Sequence, residues 1–282
     1  MFDSILILIK GGGDLATGVA TRLYHAGFPV VMTERPTPTM IRRAVSFGAA
    51  VYEGRIIVEG VTAVRVSPGE VKATLQRGEI PVLVDPAAGA VVRLRPVVVV
   101  DAIMAKRNTG TTLADAPLVI ALGPGFTAGR DCHRVIETNR GHNLGRILHE
   151  GAAQPNTGVP GSVGGKTAER VLRAPVAGQL TPRAAIGDRL RTGDPIATIG
   201  GHTVTAPFDG VLRGLIHPAV PLTPGFKIAD VDPRGEPAHC FTISDKAFAV
   251  GGGVLQAILA SPEVRRRMGT TLHQEGPFCE SD

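Results

Sequence analysis

Ile5-Leu6-Ile7-Leu8-Ile9, followed by Lys10-Gly11-Gly12-Gly13-Asp14-Leu15-Ala16-Thr17-Gly18, is the stretch on which the fold turns. A continuous apolar run of this length reads as a strand buried on both faces of a parallel sheet. Three glycines break it. Leu15, Val19 and Leu23 then recur at helical spacing, with Gly27 as a C-terminal stop. Val30-Val31-Met32, ending at Thr33-Glu34, is a second strand. Together these make a βαβ unit, with parallel strands and a right-handed crossover.

The alternation continues down the chain. Pro38 to Phe47 reads as a helix, Tyr52 to Val66 as a hairpin inserted between units, and Pro68 to Gln76 as a helix. Val82 to Asp85 is a strand and Ala87 to Leu94 a helix. Val97 to Asp101 and Leu118 to Leu122 are β-rich apolar strands. The predicted fold class is α/β: a Rossmann-like, doubly wound parallel sheet over residues 1–150 that binds a ligand, followed by a small all-β domain.

Residues 151–170 begin Gly/Pro-rich without periodicity and read as a linker. Beyond them Ala174-Pro175-Val176-Ala177-Gly178 recurs as Ala206-Pro207-Phe208-Asp209-Gly210, with Gly187-Asp188-Arg189-Leu190-Arg191-Thr192-Gly193-Asp194-Pro195-Ile196 between the copies. This resembles the biotinyl/lipoyl-type barrel-sandwich, and residues 171–248 are assigned to such a domain. The carrier forms of that fold present a lysine at the hairpin tip. Here the tip is Gly200-Gly201-His202-Thr203, so the domain is lysine-free there and is expected to dock rather than to carry. Residues 249–282 are read as a C-terminal helix and a polar tail.

Composition narrows the function classes. Hydrophobic residues make up 43% and charged residues 20%, as in a globular protein. The formal charge of +5 suits an anionic small molecule. Aromatic–basic interleaving of the kind single-strand binders use is missing, which argues against nucleic acid. Neither a signal-peptide pattern nor a membrane-length apolar run is present, so the expectation is a cytoplasmic protein away from membranes. Cys132, Cys240 and Cys279 form no disulfide framework or CxxC pair, and the histidines lack ligand spacing, so no metal site is expected.

Three loops carry the candidate site. Gly11, Gly13 and Ala16 match G-x-G-x-x-A between strand and helix, where glycines let the backbone approach an oxyanion and the helix start favours negative charge. Gly11, Gly12, Gly13, Asp14, Ala16 and Thr17 are therefore assigned to cofactor binding. Glu34 is placed for ribose hydroxyls, or Arg35 for a 2′-phosphate. Asp14 is the conflicting residue, because its carboxylate is able to cap the helix from within and compete with a ligand. The second loop offers Asp101, Lys106, Arg107 and Asn108, the third Gly123, Gly125 and Thr127. All three follow strands and should emerge on one sheet edge. Cys240, beside His239 and near Lys246, is the candidate catalytic thiol.

The segments KGGGDLATGVATRL, VVMTE, AVYEG, PVLVDP, VVVDAIMAKRNTGT, LVIALGPGFTAGRD, IETNRGHNLGR, PNTGVPG, ERVLRAP, PGFKIADVDPRG and CFTISDKAFAVGGGVLQAIL together resemble the YqeB family over about residues 4–260. That family is described as an accessory of selenium-dependent molybdenum hydroxylases, and its N-terminal half is reminiscent of the Rossmann domain of xanthine dehydrogenase accessory proteins. The resemblance implies a maturation role, either handling a molybdopterin-type nucleotide cofactor or helping to install selenium or sulfur on it, and it implies no settled reaction. It implies as partners a molybdenum hydroxylase client or its maturation factors. An NAD(P)-dependent oxidoreductase and a client-binding scaffold without small ligand are the alternatives; oligomerisation stays open.

Overall fold

The computed structural model describes residues 2, 4–156, 158 and 161–269. Thr157, Val159 and Pro160 of the expected linker, Cys279 and the polar tail lie outside the described residues. The protein is mixed α/β, with a large, mostly parallel sheet and separate antiparallel sheets.

The large sheet has the order β10-β9-β7-β6-β1-β2-β5-β4-β3. Its strands are β1 (Ile7–Lys10), β2 (Val30–Glu34), β3 (Arg55–Val58), β4 (Val61–Val66), β5 (Ile80–Val84), β6 (Val98–Asp101), β7 (Leu118–Leu122), β9 (Arg134–Ile136) and β10 (Ile147–Leu148). The seven inner strands run parallel, and the antiparallel β3 and β10 close the two edges. A two-stranded ribbon joins β8 (Thr127–Ala128) to β11 (Gly151–Ala152). β1 pairs with β2 on one side and β6 on the other, so the chain switches direction at β1. That switch opens a crevice at the C-terminal ends of β1 and β6, where open α/β sheets bind ligands.

Alternation along β1 divides the core into two layers. Ile7 and Ile9 pack with α1 (Asp14–His25) and α6 (Asp245–Ala260) on one face. Leu8 packs on the other with Val71 of α3 (Val71–Gln76) and Ala90 of α4 (Ala90–Leu94). The remaining helices are short: α2 (Ala50–Glu53), α5 (Ala238–Phe241) and α7 (Pro262–Arg267).

Two expectations need correction. Pro38 to Phe47 is no helix but an irregular segment ending in 3-10 turns at Arg43–Val45 and Phe47–Ala49. Distant partners hold it instead: the Ile41 carbonyl accepts from Leu215 N, and Arg43 Nε donates to the Leu215 carbonyl. The hairpin β3–β4 is likewise no insertion; β4 pairs in parallel with β5 and extends the main sheet.

The β domain holds β12 (Val171–Arg173), β13 (Leu180–Pro182), β14 (Arg189–Leu190), β15 (Pro195–Ile199), β16 (His202–Thr205), β17 (Gly210–Leu215) and β18 (Lys227–Asp232). They form a four-stranded sheet, β12-β18-β17-β14, and a three-stranded sheet, β13-β15-β16, around one apolar core. The repeat has a structural counterpart. Ala174 exchanges main-chain hydrogen bonds with Gly225 and Phe226, and Ala206 does the same with Gly193 and Asp194.

After β18 the chain returns to the large sheet. α6 packs against α1 so closely that a Cβ on Gly18 would lie 2.6 Å from that of Ala247. The stretch Ala238–Ala260 has a mean hydropathy of 1.2, but α5 and α6 are separated at Thr242–Ser244, and α6 buries Val250, Val254 and Ile258 in the core. Its apolarity serves packing against α1.

Candidate functional site

The three glycines after β1 have three different tasks. Gly11 has φ +95°, and a Cβ there would meet the Ala102 carbonyl at 3.0 Å, so only glycine serves. Gly12 is enclosed. Its Cβ position lies 2.6 Å from Gly48 Cα, its carbonyl accepts from Gly48 N (2.8 Å), and its N–H donates to Glu34 Oε2 (2.8 Å). Gly13 is the N-cap of α1 and faces open space, with no heavy atom within 4 Å of a Cβ position.

Asp14 does not cap α1. It is the first residue inside the helix, one position too late, and its Oδ2 lies 3.3 Å from Arg42 Nη1 instead. Among the described residues, no carbonyl or side chain accepts from the main-chain N–H groups of Gly13, Asp14 or Leu15. These are the donors that an oxyanion takes up at a helix start. Ala16 and Thr17, assigned to the ligand by their motif positions, are buried in the helix interior. Thr17 Oγ1 donates to the Gly13 carbonyl (3.0 Å) and accepts from Phe47 N (2.8 Å), so it fastens the 3-10 segment over the loop.

Glu34 is not open to a ribose. Its carboxylate accepts from Gly12 and, through Oε1, from the N–H of Arg35 (2.7 Å), while burial pushes its pKa above the ordinary range. Gly48 covers the neighbouring backbone. In the second loop, Lys10 Nζ donates to Thr111 Oγ1 (2.9 Å) and Asp115 Oδ2 (2.6 Å), and Thr111 Oγ1 donates to Asp101 Oδ2 (2.6 Å). Asp101 is buried, and that burial raises its pKa. Asn108 holds the turn through Gly110, Thr111 N and the Thr111 carbonyl. Asp101 and Asn108 therefore shape the loop, and Arg107 is exposed beside Gly125, whose Cβ position abuts the Arg107 backbone. Gly123 packs on Thr138 in the same way, and Thr127 N donates to Asp131.

What the three loops share is a cleft of about 880 Å³, into which they send Asp14, Lys106 and Pro124. They leave one edge of the sheet, as the parallel strands require. Arg170, just before the β domain, and that domain's Arg173, Arg213, Lys227 and Asp230 supply the opposite wall, to which the N-cap Ser244 and Lys246 of α6 are added. Gly18 lies against Ala247, while Gly251 lies against Gly18 and Arg22. α1 and α6 are thus parallel, and both helix starts face the same space. Their dipoles favour negative charge there.

Side chains reinforce that field. Among the described residues, Arg42, Lys106, Arg140, Arg170, Arg173, Arg213, Lys227 and Lys246 line the cleft against Asp14 and Asp230. Arg140 is paired with Asp245, Arg170 with Asp230 and Arg213 with Asp232. Arg42 also donates to the His239 and Thr242 carbonyls (both 3.2 Å). Lys106, Arg173, Lys227 and Lys246 have no carboxylate partner among the described residues. Burial lowers the pKa of Lys227 and of Lys246; the Asp230 and Asp14 carboxylates partly counter this at Lys227, and Asp14 does so at Lys246.

Cys240 is not placed to act as a nucleophile. It is 1% exposed, its Sγ faces the Leu212 carbonyl (3.7 Å), and burial raises its pKa above the thiol norm despite Arg213 and Arg42 nearby. Burial, aided by Asp131, pushes Cys132 up to about 12. Neither lines the cleft.

Local sequence does not single out Arg42, Arg140, Arg170, Arg173, Arg213 or Lys227, and it sets Lys246 beside Cys240 and not in the cleft. Lys227 and Lys246 stand in quoted stretches, PGFKIADVDPRG and CFTISDKAFAV, but nothing local marks which of many basic residues converge.

No family model matches the chain. A curated protein of Escherichia coli (strain K12), the uncharacterized protein YqeB, is 54% identical over 255 residues, which is 90% of this chain and 47% of that protein. The chain spans about half the length of this curated relative. With that identity over 90% of its length, the chain belongs to the YqeB family.

Proposed function

We propose that this protein is an accessory in the maturation of selenium-dependent molybdenum hydroxylases, and that it holds a phosphate-bearing nucleotide or molybdopterin-type cofactor in the interdomain cleft. In this reading a Rossmann-like domain supplies the phosphate site. A barrel-sandwich domain with no lysine at its hairpin tip closes over it and docks to a hydroxylase client or its maturation factors. The maturation role rests on the family resemblance. The phosphate site rests on one observation above all: the unsatisfied amides of Gly13, Asp14 and Leu15 open onto a cleft whose lining is strongly cationic. Such donors fit a phosphate without further help. Among the described residues, the cysteines Cys132 and Cys240 are buried, and neither is assigned a sulfur- or selenium-transfer step.

Of the alternatives, an NAD(P) enzyme is the less favoured, because Gly48 and Glu34 close the backbone over which an adenosine ribose would lie. Native mass spectrometry of the protein purified from a molybdenum- and selenium-replete host tests the proposal. The expected result is a bound phosphate-bearing small molecule that the Gly13→Val variant lacks. Gly13 has φ −70°, which valine adopts, and open space ahead of it, so the variant should fold. A bare protein mass under these conditions would reject the ligand and favour the scaffold.

A further inference from the structure

The starts of α1 and α6 account for one anionic group, but the cationic lining extends well beyond them. Lys227 comes from the β domain and Lys246 from α6, 19 residues apart in sequence on separate elements, yet both line the cleft and both feel the Asp14 carboxylate. Neither ammonium group donates a hydrogen bond to any described residue. Behind them, Arg42 and Arg213 are 8% and 9% exposed, line the same space, and each keep a buried Nε without a partner among the described residues. A buried donor left unpaired is costly, so this wall is built to be completed by an acceptor.

Charge arithmetic sets the class of that acceptor. One phosphate monoester carries about −1.5 to −2 at pH 7. Lys106, Arg173, Lys227 and Lys246 carry four positive charges that form no ion pair among the described residues, in addition to two helix starts. A single phosphate at α1 leaves about half of these uncompensated.

The structure assigns to the cleft a second anion subsite, made by Lys227 and Lys246 across the seam between the two domains, and a ligand of the oligophosphate class whose anionic groups span both subsites. This deepens the reading above and rests on it, since the first group is taken to sit at the start of α1. Binding then bridges the domains: one end of the ligand is held by main-chain amides of the large sheet, the other by ammonium groups from β18 and α6.

Calorimetric titration of the full chain with orthophosphate and with tripolyphosphate, at one fixed ionic strength so that screening is constant, tests this. Tripolyphosphate should bind about tenfold or more tightly than orthophosphate. Lys227→Met and Lys246→Met should each weaken tripolyphosphate by about tenfold, the scale of one charge-assisted contact, and change orthophosphate by less than about twofold. Lys227→Gln and Lys246→Gln repeat the test if a methionine variant misfolds. Equal affinities for the two anions, or lysine variants without effect on tripolyphosphate, overturn the subsite. The α1 reading then survives if Gly13→Val still abolishes orthophosphate binding. Lysine-dependent tripolyphosphate binding that Gly13→Val leaves intact keeps the subsite and removes the α1 reading. Binding of neither anion removes both.

Discussion

The Gly12 N–H donates to Glu34 Oε2 at 2.8 Å, joining the end of β2 to the glycine loop after β1. In a dinucleotide site that carboxylate would face ribose hydroxyls across an open backbone. Here Gly48 fills the opening, with its N–H on the Gly12 carbonyl. Titration with NADH should therefore give no protein-induced fluorescence change up to millimolar concentration. Saturable binding would mean that the segment around Gly48 moves aside.

Gly18 and Gly252 are both helical glycines, but they should respond oppositely to alanine. In an open helix interior the change is worth about 0.5–1 kcal/mol of stabilisation. Gly252 faces open space, and Gly252→Ala should gain that amount. A Cβ on Gly18 would lie 2.6 Å from that of Ala247 and 2.9 Å from its carbonyl oxygen. Gly18→Ala should instead force α1 and α6 apart and cost about 1–3 kcal/mol. Urea denaturation of both variants checks the pair; equal shifts would refute the close packing.

Arg140 donates to Asp245 through both Nη atoms, at 2.7 and 2.8 Å. These hydrogen bonds hold the Asp245 carboxyl well below the usual carboxylate range. A carboxyl depressed in the folded state stabilises at pH values above its unfolded pKa of about 3.9, and that contribution is lost as pH falls through the lower folded value. Asp245→Asn should thus be less stable than the parent at pH 7, with the gap narrowing below about pH 4. Denaturation curves at pH 7 and pH 3 decide it, and an unchanged gap would point away from this pair.

Much of the scaffold was written in local patterns. The apolar run ending at Ile9, the glycine break, the Leu15–Leu23 spacing and the β-branched run to Val100 each identify an element through its own periodicity, because a strand or helix face is decided by neighbours two to four residues away. The three loops at one sheet edge followed from parallel pairing. The segment from Pro38 to Phe47 was misread because its partners are remote: the Ile41 carbonyl accepts from Leu215 N, and Arg43 donates to the Leu215 carbonyl. Cys240 looked reactive beside His239 and Lys246; its burial depends on contacts such as Leu212, which proximity in sequence does not reveal.

By itself, then, the sequence determined the parallel sheet, the glycine loop at the start of α1 and the family to which the chain belongs. Only the tertiary structure decided which side chains meet the ligand space. Glu34, Asp101, Thr17 and Asn108 turned inward to hold loops, whereas Arg42, Lys227 and Lys246 converged from three distant segments. The reason is physical: secondary structure arises from short-range backbone and packing preferences, but a charged cleft is a sum over residues that only the docking of α6 and the β domain brings within reach of α1.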